Sequence, residues 1–267
     1  VSTGDTLLDI ARRHDLGQDE ILLANPAVDR WLPGAGTAIV LPHRYILPKA
    51  KRTGLILNVP EMRLYHFPKP ELGKLPVVIT HPVSIGRMDW RTPLGNTHVV
   101  AKQRNPAWYP PRSLRKEAAA SGEALPDVVQ PGPDNPLGRY AIRLALPGYL
   151  IHGTNKPYGV GMRVTHGCVR MYPEDIETLF DVVAPGTPVQ IINQPIKAGW
   201  LDGTLYLEVH PPLAEDGVKY GDITQAAMDA ISDAISEENT KYRVMLRDSA
   251  IKTAIEQQNG IPVAISR

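Results

Sequence analysis

One cysteine occurs in 267 residues. An internal disulfide is excluded, and so is a zinc site built from paired cysteines. Net charge is almost absent as well: 29 basic against 28 acidic side chains leave +1, which gives no electrostatic reason to expect nucleic acid. No run approaches the ~20 apolar residues that a membrane span needs. Neither an internal repeat nor a low-complexity segment is found. The chain begins at Val1 rather than Met, and an upstream segment is expected to have been removed.

What is present is an ordinary globular composition, 43% hydrophobic and 21% charged, long enough for one large domain or two to three smaller ones. Proline is abundant at 26, about twice the usual share, which favours strands, turns and rigid loops over long helices. Residues 1–43 form a first block. "GDTLLDIARRHDL" sets Leu7, Ile10 and Ala11 at helical spacing, with Asp5 or Thr6 as cap. "QDEILLANP" is a second helix, stopped before Pro26, and "TAIVLP" closes the block as a short strand. Residues 44–53, "RYILPKAKRT", read as a basic linker. From Gly54 to Asn193 short branched runs alternate with Pro, Gly and Asn, as in a β-rich domain. A long excursion after Asn105 carries a short helix over 113–119 and has the length of a lid or substrate wall. Residues 194–267 read as a small α/β unit: a strand in "GTLYLEVHPPL", an amphipathic helix in "DITQAAMDAISDAIS", a helix capped by Asp248 or Ser249, and a final strand in "IPVAISR".

The cysteine lies in "YLIHGTNKPYGVGMRVTHGCVRMYPEDI". His152 ends a strand, a glycine-rich loop follows, and His166, Gly167 and Cys168 precede a helix. A thiol is a poor nucleophile until an imidazole takes its proton. Gly167 permits a tight bend, so that amide N–H groups near Cys168 can converge on an oxyanion. This imidazole and these dipoles predict a Cys168 pKa below the free value of about 8.5. The residues alone point to a Cys/His hydrolase or acyltransferase. They leave open a buried cysteine acting as a small hydrophobe and zinc held by His152, His166 and Cys168. A papain-like peptidase fits less well, because its cysteine normally precedes its histidine. His14, His43, His66, His81, His98 and His210 read as surface or satisfied core histidines, and Trp108 and Tyr109 as groove lining or, preferably, core.

Two resemblances sharpen this. "GDTLLDIARRHDL", "ILLANP" and "LPGAGTAIVLP" resemble a LysM module, which implies binding of peptidoglycan or chitin glycan by residues 1–43. His152-Gly153 followed by Thr165-His166-Gly167-Cys168-Val169-Arg170, with the flanking "IGRMDWRTPLGNT", "NPAWYPP" and "GPDNPLGRYAIRL", resembles the L,D-transpeptidases, or YkuD-type domains, over 54–193. The implied fold is multidomain and mainly β: a LysM-like α+β module, a β-barrel or sandwich catalytic domain, and a small α/β C-terminal domain. The implied roles are Cys168 as nucleophile, His152 as base and the Gly153 carbonyl orienting it. Gly167 and Cys168 N–H groups, with His166, would form the oxyanion hole. Arg170, Thr165, Tyr158 and Trp108 would contact substrate, although Arg170 also reads as a structural ion pair and His166 as a loop-packing group. No metal or organic cofactor is implied. The implied activity releases D-alanine from peptidoglycan stem tetrapeptides through a thioester and passes the acyl group to an amine, of another stem or of a lipoprotein lysine. Water as acceptor, giving a carboxypeptidase, and a non-catalytic glycan-binding protein are the alternatives. Location is expected to be periplasmic or exported.

Overall fold

The computed structural model describes residues 1–217, 220–238 and 244–266. The N-terminal block is a helix pair, α1 (Leu7–Arg13) and α2 (Gln18–Ala24). Thr6 caps α1 reciprocally with Asp9: the Asp9 N–H donates to Thr6 Oγ1 at 3.0 Å, and the Thr6 N–H to Asp9 Oδ2 at 3.1 Å. Leu7, Ile10, Ala11, Leu16 and Ile21 form its core. The expected strand over 37–42 does not form. The Val40 N–H donates to the Asn25 side-chain oxygen, and Val1 makes two backbone bonds with Gly36 and Thr37, too few for a ladder.

This block is docked rather than loosely tethered. The N–H groups opening α2 donate to Val160 and Gly161 carbonyls at 2.9 and 3.1 Å, and the Tyr172 hydroxyl donates to Leu16 O at 3.0 Å. Arg63, only 2% exposed, reaches Glu20 at 2.7 Å and stacks over Tyr45 at 4.2 Å. The segment 44–53 has no helix or strand, yet it is pinned on its far side: the Ile46 N–H donates to Glu208 and the Lys49 N–H to Gln194.

The central block contains β1 (Gly54–Asn58), β2 (Arg63–Phe67), β3 (Ile79–Gly86), β4 (Gly95–Arg104), α3 (Arg112–Ala120), β5 (Tyr140–Leu144), β6 (Leu150–His152), β7 (Arg163–Thr165), β8 (Val169–Met171), α4 (Pro173–Val182) and β9 (Pro188–Ile192). The pairing order is β2-β1-β9-β4-β5-β6-β8-β3, and β3 pairs again with β2, so the ladder closes on itself as a barrel. β7 adds alongside the end of β3 in parallel. Alternate strand residues, among them Leu55, Leu57, Ile142 and Val189, fill the core together with Ile176, Leu179 and Phe180 from one face of α4.

The C-terminal block is a sheet of β10 (Ile196–Leu201), β11 (Thr204–Val209) and β12 (Val263–Ala264), covered by α5 (Ile223–Glu238) and α6 (Asp248–Gln257). Ala227, Ile231 and Ala234 of α5 and Ala250, Ile251 and Ala254 of α6 supply its core. β10 is not legible in "IKAGWL", where Lys197 and Gly199 interrupt the apolar pattern. α6 starts without a side-chain cap, Arg247 standing at that position instead of Asp248 or Ser249. Arg267, in the expected final strand, lies outside the described residues. No described helix is long and apolar enough to cross a membrane.

Candidate active site

β6 and β8 run side by side in parallel, with His152 opposite Arg170. Cys168 immediately precedes β8, so the barrel itself brings the end of one signature segment to the start of the other. After His152 the chain must pass close to its neighbours. A Cβ on Gly153 would lie 3.1 Å from Ile176 Cγ2, and Gly138 packs against its backbone. The Gly153 carbonyl turns back to His152 Nδ1 at 2.6 Å. A carbonyl can only accept, so Nδ1 carries the proton and Nε2 is left unprotonated. Burial, reinforced by the Arg170 charge, pushes the His152 pKa down to about 4, against the Gly153 and Leu137 carbonyls. The imidazole is therefore neutral at ordinary pH.

The turn carrying Cys168 is held by two threonines. Thr165 Oγ1 donates to Cys168 O at 2.6 Å, and Thr92 Oγ1 donates to Gly167 O at 2.9 Å while accepting from the Gly86 N–H. Gly167 adopts φ +98°, and a Cβ there would stand 2.7 Å from the Tyr149 ring, so both conformation and space require glycine. Among the described residues the N–H groups of Gly167 and Cys168 have no intramolecular acceptor. Burial pushes the Cys168 thiol up, outweighing the opposing effects of the Leu150 N–H and of Arg170. The expectation of a depressed thiol pKa is therefore corrected. Desolvation favours the neutral form of each group, and the Cys168 thiol donates to Gly148 O at 3.6 Å. Alkylation by iodoacetamide, followed against pH, should show a midpoint above the free-cysteine value of about 8.5. A midpoint below that would overturn the assignment.

Arg170 is half-buried, its Nε is buried without a hydrogen-bond partner, and no carboxylate pairs with it among the described residues. The ion-pair reading of Arg170 does not hold. The site thus contains a cation with a spare donor beside Cys168. His166 is engaged: its Nε2 lies 3.0 Å from Glu117 Oε2 and its ring meets Trp90 edge-on at 5.3 Å. Glu117, on α3, also takes Arg87 Nη2 at 2.8 Å, so the long excursion is latched to the loop bearing Cys168. Trp108 is half-buried and closes this excursion through paired backbone bonds with Val129. Tyr109, read as groove lining or, preferably, core, is 71% exposed and so is not core. Tyr158 faces the N-terminal block, against Leu8, Ala11 and Arg12.

Sequence reading missed Thr92, Arg87, Trp90 and Glu117 as neighbours of the site. The first three lie within the quoted stretch "IGRMDWRTPLGNT", a usable signal. Glu117 lies 49 residues from His166, and nothing in its spacing marks it. A cavity of about 780 Å³ lies elsewhere, between 44–52, β10 and α5, and none of the signature residues lines it.

The profile of YkuD, the L,D-transpeptidase catalytic domain, matches residues 52–191. Two Escherichia coli K12 proteins, named as the probable L,D-transpeptidases YcfS and YbiS, are 39% and 38% identical to this chain. The alignments cover 99% and 96% of it and 81% and 82% of those proteins. The NMR structure of the catalytic domain of the E. faecium L,D-transpeptidase is similar at 19% identity and a TM-score of 0.39, over 54% of this chain and 100% of that one.

Proposed function

Because the chain belongs to the YkuD family of L,D-transpeptidases, which are enzymes, we propose that it transfers acyl groups of peptidoglycan stem tetrapeptides through a Cys168 thioester. His152 Nε2 takes the thiol proton as sulfur attacks the carbonyl between the third and fourth stem residues. The tetrahedral oxyanion is stabilised by the Gly167 and Cys168 N–H groups. Collapse breaks the peptide bond, His152 returns its proton to the departing D-alanine amine, and the thioester remains. An acceptor amine then attacks the thioester, losing a proton to His152. The new amide forms and the thiol is restored. The observation that carries this reading is the tautomer of His152, pinned by the Gly153 carbonyl on the strand that runs beside β8, which Cys168 immediately precedes. Arg170, with its spare donor, is suited to a stem carboxylate.

Residues 1–43 hold the stem's glycan near the site in this proposal, raising its local concentration. They would act as a LysM-like module fixed to the barrel. Peptidoglycan lies outside the cytoplasmic membrane, so the enzyme works in the periplasm or an equivalent exported location.

The test is incubation with purified sacculi followed by mass spectrometry of the muropeptides. Tetrapeptides should lose one D-alanine and appear in new amide-linked products. Products with water would make the enzyme a carboxypeptidase, a lipoprotein lysine would identify attachment, and no D-alanine release would overturn the reading. A carbapenem, as an activated carbonyl, should form one covalent adduct in intact-protein mass spectrometry. No adduct under conditions where a model thiol reacts would count against the mechanism.

A further inference from the structure

His81, expected to be a surface or satisfied core histidine, is buried beside two carboxylates but is not fully hydrogen-bonded. Its side chain is 8% exposed and its Nδ1 has no hydrogen-bond partner. It stands on β3 where the turn after α1 meets the first turn of α4, 3.3 Å from Asp175 Oδ1 and 3.8 Å from Asp15 Oδ2. One further oxygen of each carboxylate, Asp15 Oδ1 and Asp175 Oδ2, is also buried without a partner. We propose that Asp15, His81 and Asp175 bind a divalent first-row metal ion of the zinc class, which fastens the N-terminal helix pair to the barrel.

One ligand atom from each residue falls within 4.8 Å of the others, as ligands of a single ion would. One imidazole and two carboxylates suit zinc, with solvent completing the coordination, better than calcium or magnesium, which take all-oxygen shells. Asp15 is partly open, at 46% side-chain exposure, and gives an entry path. Neither carboxylate has a Lys or Arg partner among the described residues. The comparison with Glu61, Glu208 and His210 is instructive, because that cluster has the same ligand types within the same span. There the Lys197 ammonium lies 2.5 and 2.8 Å from the two carboxylates and supplies the cation. At Asp15, His81 and Asp175 no Lys or Arg takes that place among the described residues, and only the His81 imidazole faces the two carboxylates. A metal there would join three elements through one ion, where Asp15 and Asp175 otherwise share a single imidazole.

The experiment uses the full chain carrying Cys168→Ala, which removes the thiol as a competing ligand. After chelation and dialysis, zinc is added and followed by calorimetry and thermal melting, and cobalt by visible absorption. One ion per chain is expected, with a higher melting temperature and a cobalt spectrum indicating a nitrogen-containing site. Asp175→Asn and the more exposed Asp15→Asn should each weaken binding by about tenfold or more, with circular dichroism confirming the fold. Glu61→Gln should leave binding unchanged. Absence of stoichiometric binding, binding unaltered in both asparagine variants, or loss of binding in Glu61→Gln would overturn the proposal.

Discussion

Cys168→Ala is expected to lower the rate of D-alanine release by about 10⁴-fold or more, because the bond-forming atom is removed and no other thiol exists. The variant should fold normally. Cys168 sits in a turn held by Thr92 and Thr165 through backbone carbonyls, and both contacts survive loss of sulfur. A melting temperature near that of the parent, with no carbapenem adduct, is the expected pair of results. Retained turnover would rule out covalent catalysis by this residue. His152→Ala tests the other half. With thiol and imidazole both held neutral by burial, the thiol loses its proton only as it attacks, so removing the base should slow acylation at every pH below the thiol pKa. Raising the pH should recover part of the rate, since solvent hydroxide then produces the thiolate directly.

The parts of this arrangement that could be read from the chain are local. Gly153 and Gly167 flank the histidine and cysteine because the backbone must approach Ile176 and Tyr149, and such glycines are visible in a sequence. The helix ends at Thr6 and before Pro26 are equally local. The sign of the Cys168 shift was not legible, because it depends on how far the surrounding fold desolvates the thiol, and no motif encodes burial. The strand expected over 37–42 failed for a related reason. Its residues have a strand's composition, but the Asn25 amide, 15 residues away, takes the backbone groups of Val40 that a neighbouring strand would have used. His81 looked ordinary because Asp15 and Asp175 approach it from two other elements. The segment 44–53 looked like a linker because its anchors, Glu208 and Gln194, lie far along the chain.

Those anchors lead to the largest expected change in stability. Lys197, on β10, is 2% exposed at its side chain and pairs with Glu61 from the β1–β2 turn and Glu208 from β11, themselves 1% and 0% exposed. Burial opposes the charge on Lys197, but the two carboxylates overcome it and hold its pKa above the usual lysine value. Burial likewise opposes charge on Glu208, and Lys197 and His210 outweigh it, holding that carboxyl down at about 2. For Glu61 burial prevails and its pKa is raised. One buried cation thus serves two carboxylates, and they do not share it equally. Lys197→Ala should therefore cost about 3–5 kcal/mol, because it strands a buried negative charge between the barrel and the C-terminal sheet. A fall of roughly 10 °C in melting temperature is the corresponding readout. Lys197→Met restores most of the side-chain volume without the charge, so it should be nearly as damaging if charge rather than packing is the cause. Glu61→Gln removes the poorly compensated carboxylate and leaves the Lys197–Glu208 pair intact, and should change stability by no more than about 1 kcal/mol. If Glu61→Gln were as destabilising as Lys197→Ala, the two carboxylates would be equally dependent on the lysine. The account of an unequal buried triad joining the barrel to the C-terminal block would then be wrong.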